Sequence, residues 1–157
     1  VITGASTGIG EACTHRLAEA GFHVFAGVRQ AADGVALQQQ IAGSVTPLLL
    51  DVTNAAQIAA AQEKVTAIVG VQGLVGLVNN AGIAVGGPLE FLPIAELQRQ
   101  MAVNVYGALA VTQAFLPLLR RATGRQGKSD GEQEGRSEPA RHGTHCSAAG
   151  VVQRNGS

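Results

Sequence analysis

Val1-Ile2-Thr3-Gly4-Ala5-Ser6-Thr7-Gly8-Ile9-Gly10 opens the chain, and its reading decides the fold. Val1 and Ile2 read as the end of a buried strand that leaves through Thr3-Gly4. Ala12, Leu17 and Ala18 then give an apolar face to a helix over residues 9–20, which Gly21 ends. A glycine-rich turn between a strand and a helix is the context that dinucleotide binding requires. Glycines allow the tight turn and let backbone amides come close to a diphosphate. The helix start adds unpaired N–H groups and the positive end of a dipole. Alone, such a turn is equally an ordinary structural one.

Working outward, residues 23–28 form a second apolar run bounded by Gly21, and residues 45–50 and 74–78 form two more. Between them lie a short helix expected over residues 34–41 and a longer one, capped by Thr53 or Asn54, that ends near residue 69. A long helix is expected over residues 94–119, where Leu97, Met101, Val105 and Leu109 recur every four positions, with Leu116 further along. Apolar strands alternating with helices imply a parallel sheet covered on both faces. Right-handed crossovers make it an α/β, doubly wound fold. The reading is of an incomplete example, with strand one shortened and strand five and later elements missing. Residues 1–122 would form the folded domain. Residues 123–145 are rich in Gly, Arg, Glu, Lys, Ser and Asp and too poor in apolar side chains to offset their ordering entropy, so disorder is expected there. Residues 146–157 turn apolar and small again.

At 157 residues the chain is about one domain long, and with 46% hydrophobic but only 3% aromatic residues its core must be aliphatic. Eleven basic residues balance eleven acidic ones without a basic stripe, which argues against a nucleic-acid partner. Two cysteines, Cys13 and Cys146, make no disulfide framework and suggest a reducing, cytoplasmic setting. The apolar runs read as too short or too interrupted to span a membrane. His142, His145 and Cys146 lack the second cluster that a zinc site usually needs, so no metal is expected. With no initiator Met, and Val1 inside an expected strand, the chain reads as a fragment.

Three further motifs follow in order: Asp51-Val52 after the third apolar run, Asn79-Asn80-Ala81-Gly82 after the fourth, and Asn104 in Met-Ala-Val-Asn-Val-Tyr-Gly. With the Thr-Gly-x-x-x-Gly-x-Gly turn, this order over residues 1–125 closely resembles the short-chain dehydrogenase/reductase family. Pro88 to Arg120 is similar to its subgroup of steroid and retinol dehydrogenases. The resemblance implies a Rossmann-type fold with Gly4, Ser6, Gly8, Ile9 and Gly10 around the phosphates and ribose of a nicotinamide cofactor. Asp51 would accept from the adenine amino group, Val52 would touch the ring, and Asn79 and Ala81 would line the cofactor, with Asn80 and Gly82 shaping the turn. Asp51 also suits a helix start, and the Asn pair also suits a purely structural turn. Val28 stands where the family places an acid, and Arg29 follows it. Arg29 would pair with a 2′-phosphate, which leans toward NADP with NAD as the alternative, or it is merely a solvated residue at a strand end.

By the same resemblance a Ser, a Tyr and a Lys move the proton while hydride passes between an alcohol or carbonyl substrate and nicotinamide. Asn104 would complete the proton relay, and asparagine inside a helix otherwise lacks a reason. Cys146-Ser147-Ala148-Ala149-Gly150 resembles the serine segment, making Ser147 the candidate, with an ordinary loop serine as the alternative. The insert before it looks like a frame disruption or altered join. Tyr-x-x-x-Lys is not present: the sole tyrosine, Tyr106, has Ala110 four places on. Loss of an acid/base group costs roughly a hundred- to ten-thousand-fold, so this chain is expected to be inactive alone. A homo-dimer or tetramer paired through the long helix is the family expectation. The competing reading is a non-catalytic nucleotide-binding or subunit-interaction protein of the same fold.

Overall fold

The computed structural model describes residues 1–41 and 43–129. Helix α1 (Gly8–Glu19) leads into strand β1 (Val24–Val28), helix α2 (Ala31–Gln40), strand β2 (Val45–Leu49) and helix α3 (Ala55–Val69). Asn54 caps α3, its side chain accepting from the Gln57 amide at 3.1 Å. Short 3-10 turns at Gly70–Gln72 and Leu89–Phe91 precede helix α4 (Ile94–Met101), which runs through a π-helical turn (Ala102–Gly107) into helix α5 (Ala108–Ser129).

β1 and β2 pair in parallel from Val24↔Val45 to Val28↔Leu49. Ile2 bridges β1 at Ala26 on one side and Val78 on the other, again in parallel. The spatial order is therefore β2, β1, the Ile2 segment, then the Val78 segment. The strands expected at the chain start and over residues 74–78 reduce to these single bridges, because the segment before the turn at Gly4 is short. Its ladder bonds are nonetheless made: Ile2 donates to Phe25, Gly27 to Ile2, Val78 to Val1 and Thr3 to Val78, all at 2.8–2.9 Å.

Every residue of β1 is buried, as a central parallel strand requires. Val24, Ala26 and Val28 join Ala18 and Leu37 on one face of the sheet. Phe25 joins Ile58, Val65, Val111, Phe115 and Leu118 on the other. The two cores put α1 and α2 on one side and α3 and α5 on the other, which is the doubly wound arrangement.

Several expectations are corrected. α2 begins at Ala31 rather than near residue 34, and Gly34 sits inside it because a Cβ there would stand 2.7 Å from Pro47 Cβ. The long helix does not stop at residue 119. α5 continues to Ser129, into the stretch expected to be disordered, and the remainder of the polar insert and the serine segment lie outside the described residues. The four-spaced Leu97, Met101, Val105 and Leu109 are exposed, while Val111, Phe115 and Leu118 carry the core. One helical run, Ile94–Ala122, is by length and composition apolar enough to cross a membrane, contrary to the reading of interrupted apolar runs. Its inner residues Val111, Phe115 and Leu118 are spent on the core.

Candidate functional site

The turn after Ile2 is tied to the loop after Val78 by two side chains. Thr3 is 1% exposed, and its hydroxyl oxygen accepts from the Asn80 and Ala81 amides, both at 3.0 Å. The Asn80 side-chain amide donates to the Thr3 carbonyl at 3.1 Å and the Gly4 carbonyl at 2.9 Å. Gly4 has φ +64°, and a Cβ on it would lie 2.9 Å from Ala81 Cα. A Cβ on Gly10 would collide with the Gly4 carbonyl and the Asn80 amide. These two positions admit only glycine: the first for its left-handed backbone, the second because α1 lies against the turn. Gly8, φ +60°, turns the chain into α1.

Thr7 is extended at the start of α1, with φ −154° and ψ 161°, and makes no side-chain cap. The first amides of α1 thus keep their donors for another acceptor, and with the helix dipole they favour an anion. They open on a cleft of about 610 Å³. Gly4, Ser6, Thr7 and Ile9 form one wall of it, Arg29 and Leu50 to Thr53 the far end, Asn80 to Ile83 the floor, and Arg99, Ala102 and Val103 the helical side. The volume lies within the range of small-molecule and cofactor pockets. Ile9, 76% exposed, offers an apolar surface at the mouth.

Asp51 Oδ1 accepts from the Thr53 hydroxyl at 2.6 Å and the Thr53 amide at 2.8 Å. These bonds, helped by the Arg29 charge and opposed by partial burial, hold its carboxyl below the usual range. Oδ2 accepts no hydrogen bond among the described residues. The Asp51 amide donates to Gln57 Oε1 at 2.7 Å, which fixes the residue from behind. Arg29 is exposed and makes no hydrogen bond or salt bridge among the described residues, so its guanidinium is available at the end of the cleft.

Of the residues expected at a cofactor, Gly4, Ser6, Ile9, Arg29, Asp51, Val52 and Ala81 line this one cleft. Gly8 and Gly10 shape its turn without lining it. Asn79 does not line it: its side-chain amide donates to Thr112 Oγ1 at 2.9 Å, which tethers the loop to α5. Asn104 sits in the π-helical turn, and its side chain is consumed by Ile83, accepting from its amide and donating to its carbonyl, both at 2.9 Å. Ser147 lies outside the described residues. The sequence reading missed Thr3, which joins the two loops, and Arg99, which lines the cleft and pairs with Glu96 at 2.7 Å. A buried threonine directly after a strand was the available signal for Thr3. Nothing marked Arg99.

The family model for short chain dehydrogenase matches residues 1–128. The chain is similar to an NADPH-dependent 3-dehydrocapnine reductase of Ornithobacterium rhinotracheale, 38% identical over 76% of this chain and 42% of that protein. It is similar to mouse retinol dehydrogenase 5, 39% identical over 79% of this chain and 39% of that protein. Among solved structures, an NADPH-bound carbonyl reductase from chicken fatty liver superposes with a TM-score of 0.73 at 28% identity, covering 79% of this chain and 53% of that one. The chain thus spans less than half the length of these two curated relatives.

Proposed function

The chain belongs to the short-chain dehydrogenase family, and from that premise we propose that it forms the nucleotide-binding part of an oxidoreductase that exchanges hydride between NADP(H) and an alcohol or carbonyl substrate. The observation that carries this reading is the uncapped start of α1 beside a glycine turn, opening on a cleft whose far end holds Arg29 and Asp51. The α1 amides and the Gly4–Ile9 turn would take the diphosphate, Ile9 would pack on the ribose, and Asp51 Oδ2 would accept from the adenine amino group. Arg29 would meet a 2′-phosphate through charge-assisted bonds. When bound, the nicotinamide supplies or accepts the hydride. Asn80 and Thr3 hold the turn in shape for it.

Support for the phosphorylated cofactor is chemical: Arg29 makes no hydrogen bond or salt bridge among the described residues, and no acid ends β1. The NADPH named for two of the similar proteins agrees. The test is titration of the chain with NADPH and NADH by fluorescence. NADPH should bind more tightly, and Arg29→Glu should remove the preference by about ten- to a hundredfold, as loss of a charge-assisted bond implies. Equal affinities overturn the NADP assignment. No affinity for either overturns the nucleotide reading.

Exposed Leu97, Met101, Val105 and Leu109 form a stripe on the outer face of α4, the π-helical turn and α5. It is the face through which two copies would pair, as a dimer or within a tetramer. Leu109→Glu should shift the chain to monomer in analytical ultracentrifugation. An unchanged mass distribution would remove this face from the interface.

A further inference from the structure

The helical side of the cleft holds the loop after Asn80 through two side chains of one helical run. Gln100 Oε1 accepts from the Val85 amide at 2.6 Å, and one turn on, Asn104 pairs with both the amide and the carbonyl of Ile83. Ile83 and Val85 are alternate residues of an irregular stretch that joins no sheet. The spacing explains the match. Residues four apart on a helix lie about 6 Å apart along its axis, and alternate residues of extended chain lie about 6.6 Å apart. Two helix side chains therefore do what a neighbouring strand would do, supplying partners to a backbone that has no other among the described residues.

We propose that Gln100 is a positioning residue for the nucleotide: its carboxamide oxygen fixes the far end of the loop whose near end, Asn80 to Ile83, lines the cleft. The inference rests on the nucleotide reading and adds to it a residue that touches no ligand. With the rung to Val85 removed, Ile83 keeps only the Asn104 pair, and the cleft floor gains freedom that binding must then take away.

Among the described residues only the acceptor oxygen of Gln100 is used, which makes the prediction specific. In the 157-residue chain, Gln100→Met keeps the shape and loses the acceptor, whereas Gln100→Glu keeps the acceptor. Gln100→Met should weaken NADPH about three- to tenfold, the worth of one net hydrogen bond, and Gln100→Glu should restore it to within about twofold. Amide hydrogen exchange at Val85 gives a readout that needs no ligand. Exchange should be slow in the unsubstituted and Gln100→Glu chains and fast in Gln100→Met. Equal NADPH affinity in all three overturns the positioning role, as does a Glu variant as weak as the Met one. Uniform Val85 exchange overturns the hydrogen-bonded rung itself. Failure of the unsubstituted chain to bind NADPH, with Val85 exchange still sensitive to Gln100→Met, overturns the nucleotide reading and leaves the rung standing.

Discussion

On one side of the cleft the turn from Thr3 to Gly10 meets Asn80 and Ala81 through the buried Thr3 hydroxyl, the Asn80 side-chain amide and close backbone contacts, while on the other side Ile83 and Val85 hang on side chains reaching from the helix. The first wall is packed so closely that a single Cβ cannot enter it at Gly10. The second is part-buried or exposed, and water can stand in for a lost partner. The contrast teaches that a binding cleft can have one wall fixed by sterics and one fixed by replaceable hydrogen bonds, so equal-looking substitutions on the two sides should cost very different amounts.

The largest effect should come from Gly10→Ala. The added methyl group meets backbone on one side and the Asn80 amide on the other, so α1 or the turn must move. A loss of about 3 kcal/mol in chemical denaturation is expected, with nucleotide affinity falling beyond detection. A variant as stable as the unsubstituted chain would show that the first wall has slack. Next comes Thr3→Val, which keeps the shape but leaves the Asn80 and Ala81 amides without their acceptor; about 2 kcal/mol should be lost. Asn104→Leu, on the second wall, should cost about 1 kcal/mol or less, because its partners are exposed to solvent. If it matched Thr3→Val in the same denaturation series, the distinction between the walls would fail.

The smallest effect is a pH dependence. Thr53 holds the Asp51 carboxyl below its ordinary value, so folding is favoured by its ionised form. A depressed carboxylate contributes stability above its unfolded pKa of about 4, and that contribution is lost as pH falls through the lower folded value. The difference in melting midpoint between the unsubstituted chain and Asp51→Asn should therefore stay level from pH 8 to 5 and shrink only in stronger acid. A difference that changes near neutrality would mean that another group controls this end of the cleft.

The first wall was legible in the sequence because steric demands are written in residue type. Only glycine satisfies Gly4 and Gly10, and both stood at the expected places in the motif. β1 was legible for a similar reason, since a strand buried on both faces must be apolar throughout. The second wall was hidden. Glutamine is an ordinary helix residue, and its partner Val85 lies in a loop that no propensity distinguishes. Asn104 did stand out as a poor helix former, and the structure shows its side chain paired with Ile83, a contact the sequence did not announce. The long helix misled in another way. Leu97, Met101, Val105 and Leu109 announce a helix but not which face is the core, because Val111, Phe115 and Leu118 form a second apolar stripe. Periodicity identified the element and could not choose between its two sides.

Gly107 closes the π-helical turn with no side chain, and a Cβ there would come within 2.7 Å of Val52 Cγ2 and 2.9 Å of the Val52 carbonyl. The helix therefore rests its bare backbone on the residue next to Asp51, like a lintel on its post. Val52 itself lines the cleft, so the contact at Gly107 sets the span between the helix and this end of it. Any replacement at 107 widens that span by the bulk it introduces, so a screen for altered nucleotide selectivity has reason to include a residue that presents nothing to the ligand.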